Sequence, residues 1–80
     1  MTNESAALYL RDLGDLLRRS AVDARTRRDS ALGTAEYDFE TGHLTAYHEV
    51  ISLMQHQAIA FGIGLEDLTL NNINPERDLR

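Results

Sequence analysis

Two stretches of this chain repeat large apolar residues every three or four positions, and that period constrains the fold more than any other feature. In the second stretch Leu44, Tyr47, Ile51, Met54, Ala58 and Phe61 follow at spacings of 3, 4, 3, 4 and 3. This spacing lays one stripe along one side of an α-helix and suits packing against other helices. The first stretch, from about Glu4 to Ser30, carries Ala6, Leu10, Leu13, Leu17, Ala21 and Ala24 along a similar stripe. The only proline is Pro75, so no obligatory break falls in either stretch. The expectation is an all-α fold.

Local chemistry marks the element ends. Asn3 or Ser5 is suited to capping the first helix, expected over about residues 4–30. Asp15 with Arg19 and Asp23 with Arg27 are i,i+4 pairs in the favourable order, acid first. Residues 31–34 read as the turn, where Gly33 ends one helix and Thr34 caps the next, expected over about 35–61. Glu36, Asp38 and Glu40 then fall in its first turns, where the helix dipole favours negative charge. Gly14 is a weak spot tolerated inside a long periodic run. Gly42 interrupts the second stripe and marks either a bend or a close helix approach. Gly62 and Gly64 end the second helix.

Two helices of matched length joined by a short turn imply an antiparallel hairpin. Folding the chain about Leu32 sets Leu10 near Met54, Leu13 near Ile51, Leu17 near Tyr47 and Ala21 near Leu44. Toward the turn it sets Ala24 near Glu40 and Arg28 near Glu36. The open end should therefore be the well-packed end, and the turn end small, charged and more mobile.

The second helix is apolar over more of its circumference than one neighbour covers. Ala46, Val50, Leu53 and Ala60 form a second line beside the main stripe, and Leu16 does the same on the first helix. A helix of this kind needs more than one partner. The simplest solution is a two-fold dimer forming a four-helix bundle, with Leu16, Ala46, Val50, Leu53 and Ala60 at the interface. The tail over residues 62–80 holds Leu65, Leu68, Leu70, Ile73 and Leu79, too apolar to be a solvated end. Asn74-Pro75-Glu76-Arg77 has the form of a short helix start. This tail is expected either to fold over the bundle and cover the second apolar line or to dock on another protein. Residues 1–80 thus read as one helical-hairpin domain.

The run Ala46-Tyr47-His48-Glu49-Val50-Ile51-Ser52-Leu53-Met54, with Gln57-Ala58, Phe61-Gly62-Ile63 and Ile73-Asn74-Pro75-Glu76-Arg77-Asp78-Leu79, resembles a group of small bacterial helical-hairpin proteins with no assigned activity. The resemblance covers the second helix and the tail and implies no catalytic or binding residue. In architecture alone the chain is similar to Rop-type helical hairpin dimers, which bind RNA through their helix faces.

Composition narrows the function classes. At 80 residues the core is near the lower limit for a free-standing domain, and there is no cysteine to supply a disulfide or a thiolate metal site. Oligomerisation is the remaining remedy for a thin core. No apolar run reaches the ~20 residues of a membrane span. Met1-Thr2-Asn3-Glu4 has neither the basic region nor the apolar core of a secretory leader, and the lack of cysteine fits a reducing compartment, so a cytoplasmic location is expected. All eight basic residues are arginine, which excludes Schiff-base lysine chemistry and a P-loop lysine.

Four constellations remain. The segment RRSAVDARTRR, residues 18–28, offers Arg18, Arg25 and Arg28 to a phosphate or an acidic partner, because arginine forks bind both. A net charge of −5 opposes the nucleic-acid version. The plainer reading has these arginines facing Glu36, Asp38 and Glu40 across the hairpin. Glu40-Thr41-Gly42-His43 is an E-x-x-H spacing; doubled in a homodimer and joined by Asp23, it would resemble the di-metal sites of four-helix bundles. The plainer reading is ion-paired surface. His48-Glu49 with His56 admits a pH-sensing or metal pair, but with no fixed carboxylate or third ligand the plainer reading is partly exposed interface histidines. Finally, dimeric helical enzymes such as chorismate mutases build their sites from arginines, a lysine and a glutamate; this chain lacks the lysine, and no nucleophile–base pair stands out. The expectation is no enzyme, no cofactor and no resident metal. The chain reads as a non-enzymatic homodimeric interaction module of the adaptor, regulator or antitoxin type, with nucleic-acid binding as the alternative and a di-metal bundle as the second.

Overall fold

Helix α1 spans Asn3–Ser30 and α2 spans Tyr37–Ala60 in the computed structural model, which describes residues 3–80. Met1 and Thr2, on which the reading of the N-terminus partly rests, lie outside the described residues. The two helices pack side by side as a hairpin. A 3-10 turn at Leu65–Leu68 and a one-turn helix α3 at Pro75–Asp78 complete the element order, with no strand among the described residues. No helix among them is long and apolar enough to cross a membrane.

Local chemistry accounts for most of the boundaries and corrects four expectations. Asn3 and Ser5 both lie inside α1 rather than ahead of it. The connection runs to Glu36, two residues longer than expected, and Thr34 does not cap α2. Its hydroxyl donates back to the Ala31 carbonyl at 2.6 Å, and its N–H closes a reverse turn on the same carbonyl with Gly33 at φ +82°. Glu36 takes the position ahead of α2 without a side-chain cap. Gly42 neither bends α2 nor admits a neighbour: the helix is continuous, and nothing lies within 4 Å of a Cβ placed there.

At its other end α2 stops in a Schellman arrangement. Gly62 sits at φ +69°, its N–H meets the Ile59 carbonyl, and the Ile63 N–H meets the Ala58 carbonyl. Only a residue without a Cβ takes that conformation freely. In α3, Asn74 accepts from the N–H groups of Glu76 and Arg77 at 3.0 and 3.3 Å, with Pro75 at the first helical position.

The core is where sequence and structure differ most. The fully buried line of α1 is Gly14, Ala21 and Ala24, and that of α2 is Leu44, Ile51 and Ala58. The remaining buried apolar residues are Leu68, Leu70, Ile73 and Leu79, all from the tail. The tail is thus a third wall of the core, built in cis. The expected packing gradient is found only in part: Ile51 and Ala58 are buried, but so are residues near the turn. At the open end Leu10 is exposed and Leu13, Leu17 and Met54 are only half-buried, whereas the fully buried Ala21, Ala24 and Leu44 lie toward the turn.

Backbone contact fixes the tail's position. A Cβ on Gly14 would collide with the Leu68 carbonyl, falling 2.8 Å from its carbon, so only glycine lets the tail lie this close to α1. The Gln55 amide donates to the Leu70 and Ile73 carbonyls at 3.0 and 2.9 Å. Thr69, itself at φ +57°, donates its hydroxyl to the Arg11 carbonyl at 3.1 Å. Arg25 and Arg28 reach the carbonyls of Asp78 and Arg80 at 3.0 and 2.8 Å, so the tail binds the turn end as well.

Candidate functional site

Successive residues rotate by about 100° around a helix, and the tail takes one flank of each buried line. On α2 that flank carries His48 and Gln55; on α1 it carries Gly14 and Arg25. The opposite flank has no covering segment. It presents Leu10, Leu13 and Leu17 from α1 beside Tyr47, Met54 and Val50 from α2, and its margins hold Tyr9 and Phe61. Phe61 is 77% exposed.

The tail therefore does not cover the second apolar line, contrary to expectation. It packs on the other side of α2 because its contacts with Gly14 and Gln55 lie there. Leu16, Ala46, Val50, Leu53 and Ala60 are all exposed. Of the five, Val50 borders the uncovered flank. Ala46, Leu53 and Ala60 each follow a buried residue of α2 by two positions, about 200° around the helix, and Leu16 follows the buried Gly14 in the same way, so these four point toward the backs of their helices. The middle of that flank is instead Leu13, Leu17, Tyr47 and Met54, which periodicity alone had assigned to the hairpin's interior. Scattered exposed residues elsewhere, such as Leu8 and Val22, are ordinary for a protein surface.

Near the turn the same flank becomes polar. Glu40 Oε2 lies 4.0 Å from His43 Nδ1 and 4.0 Å from Arg27 Nε. Both Glu40 Oε2 and His43 Nδ1 are shut off from solvent without a hydrogen-bond partner. The His43 ring lies between Phe39 and Tyr47, with ring centres 6.0 and 5.4 Å away.

Asp23 does not join this pair. It lies on the outward face of α1, exposed and bound to Arg27 at 3.2 Å. The helix phase decides this: Asp23 falls about 200° from Ala21, away from α2. Among the described residues no three His, Asp or Glu side chains are grouped to hold a metal ion.

The arginine cluster is engaged within the chain. Arg18 and Arg19 both bind Asp15 at 2.9 Å, and the Arg18 hydrogen bond holds the Asp15 carboxyl below its ordinary pKa despite some opposing desolvation. Arg25 reaches Asp29 at 3.9 Å as well as the Asp78 carbonyl. Arg28 meets Asp29 at 2.9 Å and the Arg80 carbonyl. Among the described residues no ion pair joins Arg28 to Glu36; the tail has taken that place. Arg18, Arg25 and Arg28 do not form a free row of forks for an external phosphate.

His48 and His56 do not converge either. His48 is largely buried against the tail, with Nε2 3.3 Å from Glu76 Oε1, while His56 is exposed at the rim of the groove between α2 and the tail. In the tail, the Arg77 hydrogen bond first, then the Asn74 N–H, lower Asp78 to a pKa of about 2.

Comparison with protein-family models, with curated proteins and with solved structures finds no match to this chain.

Proposed function

We propose that this chain is a cytoplasmic, non-enzymatic protein–protein interaction module that works as a homodimeric four-helix bundle, in the manner of an adaptor, a regulator or a toxin-neutralising partner. One observation carries the reading: the chain's own tail closes one side of the hairpin, while the other presents an apolar face that runs along both helices from the open end and becomes polar only near the turn. Such a face is costly to leave in water.

Its size suits a second copy. With α2 at 24 residues, a 1.5 Å rise per residue and two helices each about 10 Å across, the flank offers on the order of 700 Å². That is close to the ~800 Å² per partner of a standard stable interface. A two-fold pairing of identical hairpins also satisfies the surplus apolar surface of both at once. Outside the interface the net charge of −5 suits a basic protein partner, because charge complementarity speeds encounter.

Sedimentation equilibrium tests the dimer. The expected mass is twice that of the chain at micromolar concentration, and Val50→Glu, at an exposed position on the uncovered flank, should yield a folded monomer. A wild-type chain that sediments as a well-folded monomer would refute the proposal.

A further inference from the structure

The uncovered face is not uniform along its length, and this bears on how two copies meet. We propose that the copies pair with their turns at the same end, the two-fold axis running parallel to the helices; this rests on the homodimer proposed above and specifies its register. Two face-to-face arrangements are available to a two-fold pair of hairpins. With the axis along the helices, α1 lies over the partner's α2 and the turns coincide. With the axis across the helices, α1 lies over the partner's α1 and the turns point opposite ways. Every neighbouring helix pair is antiparallel in both, so helix direction does not choose between them.

Polarity does. The turn-end third of the face carries Arg27, Glu40 and His43, whereas the remainder is apolar. If the turns point opposite ways, with the crossing centred on Leu17 and Tyr47, Glu40 falls opposite the partner's Met54. A carboxylate would be sealed against an apolar surface, which is strongly unfavourable. If the turns coincide, Leu13 meets the partner's Val50, Leu17 meets the partner's Tyr47, and the polar thirds face each other. Glu40 Oε2 and His43 Nδ1, both buried and without a hydrogen-bond partner in the single chain beyond their 4.0 Å approach to each other, then have the partner's Arg27 and Glu40 within the same layer. Apolar surface meets apolar surface and charge meets opposite charge.

The chain has no cysteine, so a single introduced one can be labelled uniquely. Leu32, 72% exposed in the turn, is a suitable site. Leu32→Cys carrying a nitroxide is measured in the full chain by pulsed dipolar EPR. Turns at the same end place the two labels about 20–30 Å apart, the width of a bundle of helices each about 10 Å across. Turns at opposite ends place them near the 47 Å long dimension of the chain. The short distance is the expected result. The long distance overturns the register and leaves the dimer standing; no dipolar coupling at all overturns both.

Discussion

Gly14→Ala and Gly42→Ala are the same chemical change in two long helices, and the structure assigns them opposite signs. Each replaces a glycine in a helix interior, which by propensity alone should stabilise by about 0.8–1 kcal/mol. At Gly42 nothing lies within 4 Å of the new methyl, so the full propensity gain should appear. At Gly14 the methyl would fall on the Leu68 carbonyl, 2.8 Å from its carbon where ordinary carbon–carbon contact is ~3.5–4 Å. The obstacle is backbone and cannot rotate away, so the 3-10 turn has to lift. Lifting it partly exposes Leu68 and Leu70, whose full burial is worth about 1.5–3 kcal/mol each. Overpacking of this kind typically costs about 1–3 kcal/mol. After the propensity gain, the upper part of that range leaves Gly14→Ala destabilised by about 1–2 kcal/mol net, a separation of ~2–3 kcal/mol between the variants. In a domain this small each kcal/mol moves Tm by about 4–8 °C. Melting followed by circular dichroism at matched protein concentration should show Gly42→Ala above wild type and Gly14→Ala at least about 4 °C below it. If both variants melt higher than wild type, the tail does not lie against α1 as described.

Three further outcomes follow from the same contacts. Gln55→Ala removes two hydrogen bonds to tail carbonyls and should cost about 1–3 kcal/mol in urea unfolding, with hydrogen exchange rising first at residues 70–73; an unchanged midpoint would remove Gln55 from the clamp. Asp78, lowered from 3.8 to about 2, contributes stability that is fully present above about pH 4 and is lost as pH falls toward 2, because a depressed carboxyl binds its proton less readily when folded. An acid titration should show this loss, and Asp78→Asn should flatten it. A gel-shift titration at low salt, where phosphate contacts are strongest, should show no binding of RNA or DNA, since Arg18, Arg25 and Arg28 are engaged within the chain.

The helices were legible from the sequence because periodicity and the lack of proline before Pro75 act locally. So were the cap at Asn74 and the chain reversal at Gly62. The side of the hairpin that would be covered was not. The 3-4 stripe identifies a face about a third of a turn wide, and Leu44 and Tyr47 lie on it equally; only the tail's position makes one buried and the other marginal. That position depends on Gly14, which reads from sequence as a mere lapse in helix propensity. Its signal was present as the pairing of one glycine in a leucine-rich helix with an apolar tail, but nothing local says that the two meet. Thr34 was misassigned for a related reason: a hydroxyl beside a turn can cap forward or bond backward, and here it takes the nearer Ala31 carbonyl. Arg28 shows how long-range structure overrides local charge logic, leaving Glu36 for a carbonyl 52 positions away.

The tail over one flank also limits how far such chains can assemble. A bare hairpin, apolar on both flanks, would present two adhesive surfaces and could stack without end, as heterologous contacts do when their rotation does not close. Occupying one flank with the chain's own Leu68, Leu70, Ile73 and Leu79 leaves each unit a single adhesive side. Units of that kind can join once and then have nothing left to offer. With the copies paired as proposed, the clamp by Gln55 and the notch at Gly14 would act as a stop against filaments, and a variant that frees the tail should be read for fibre growth as well as for lost stability.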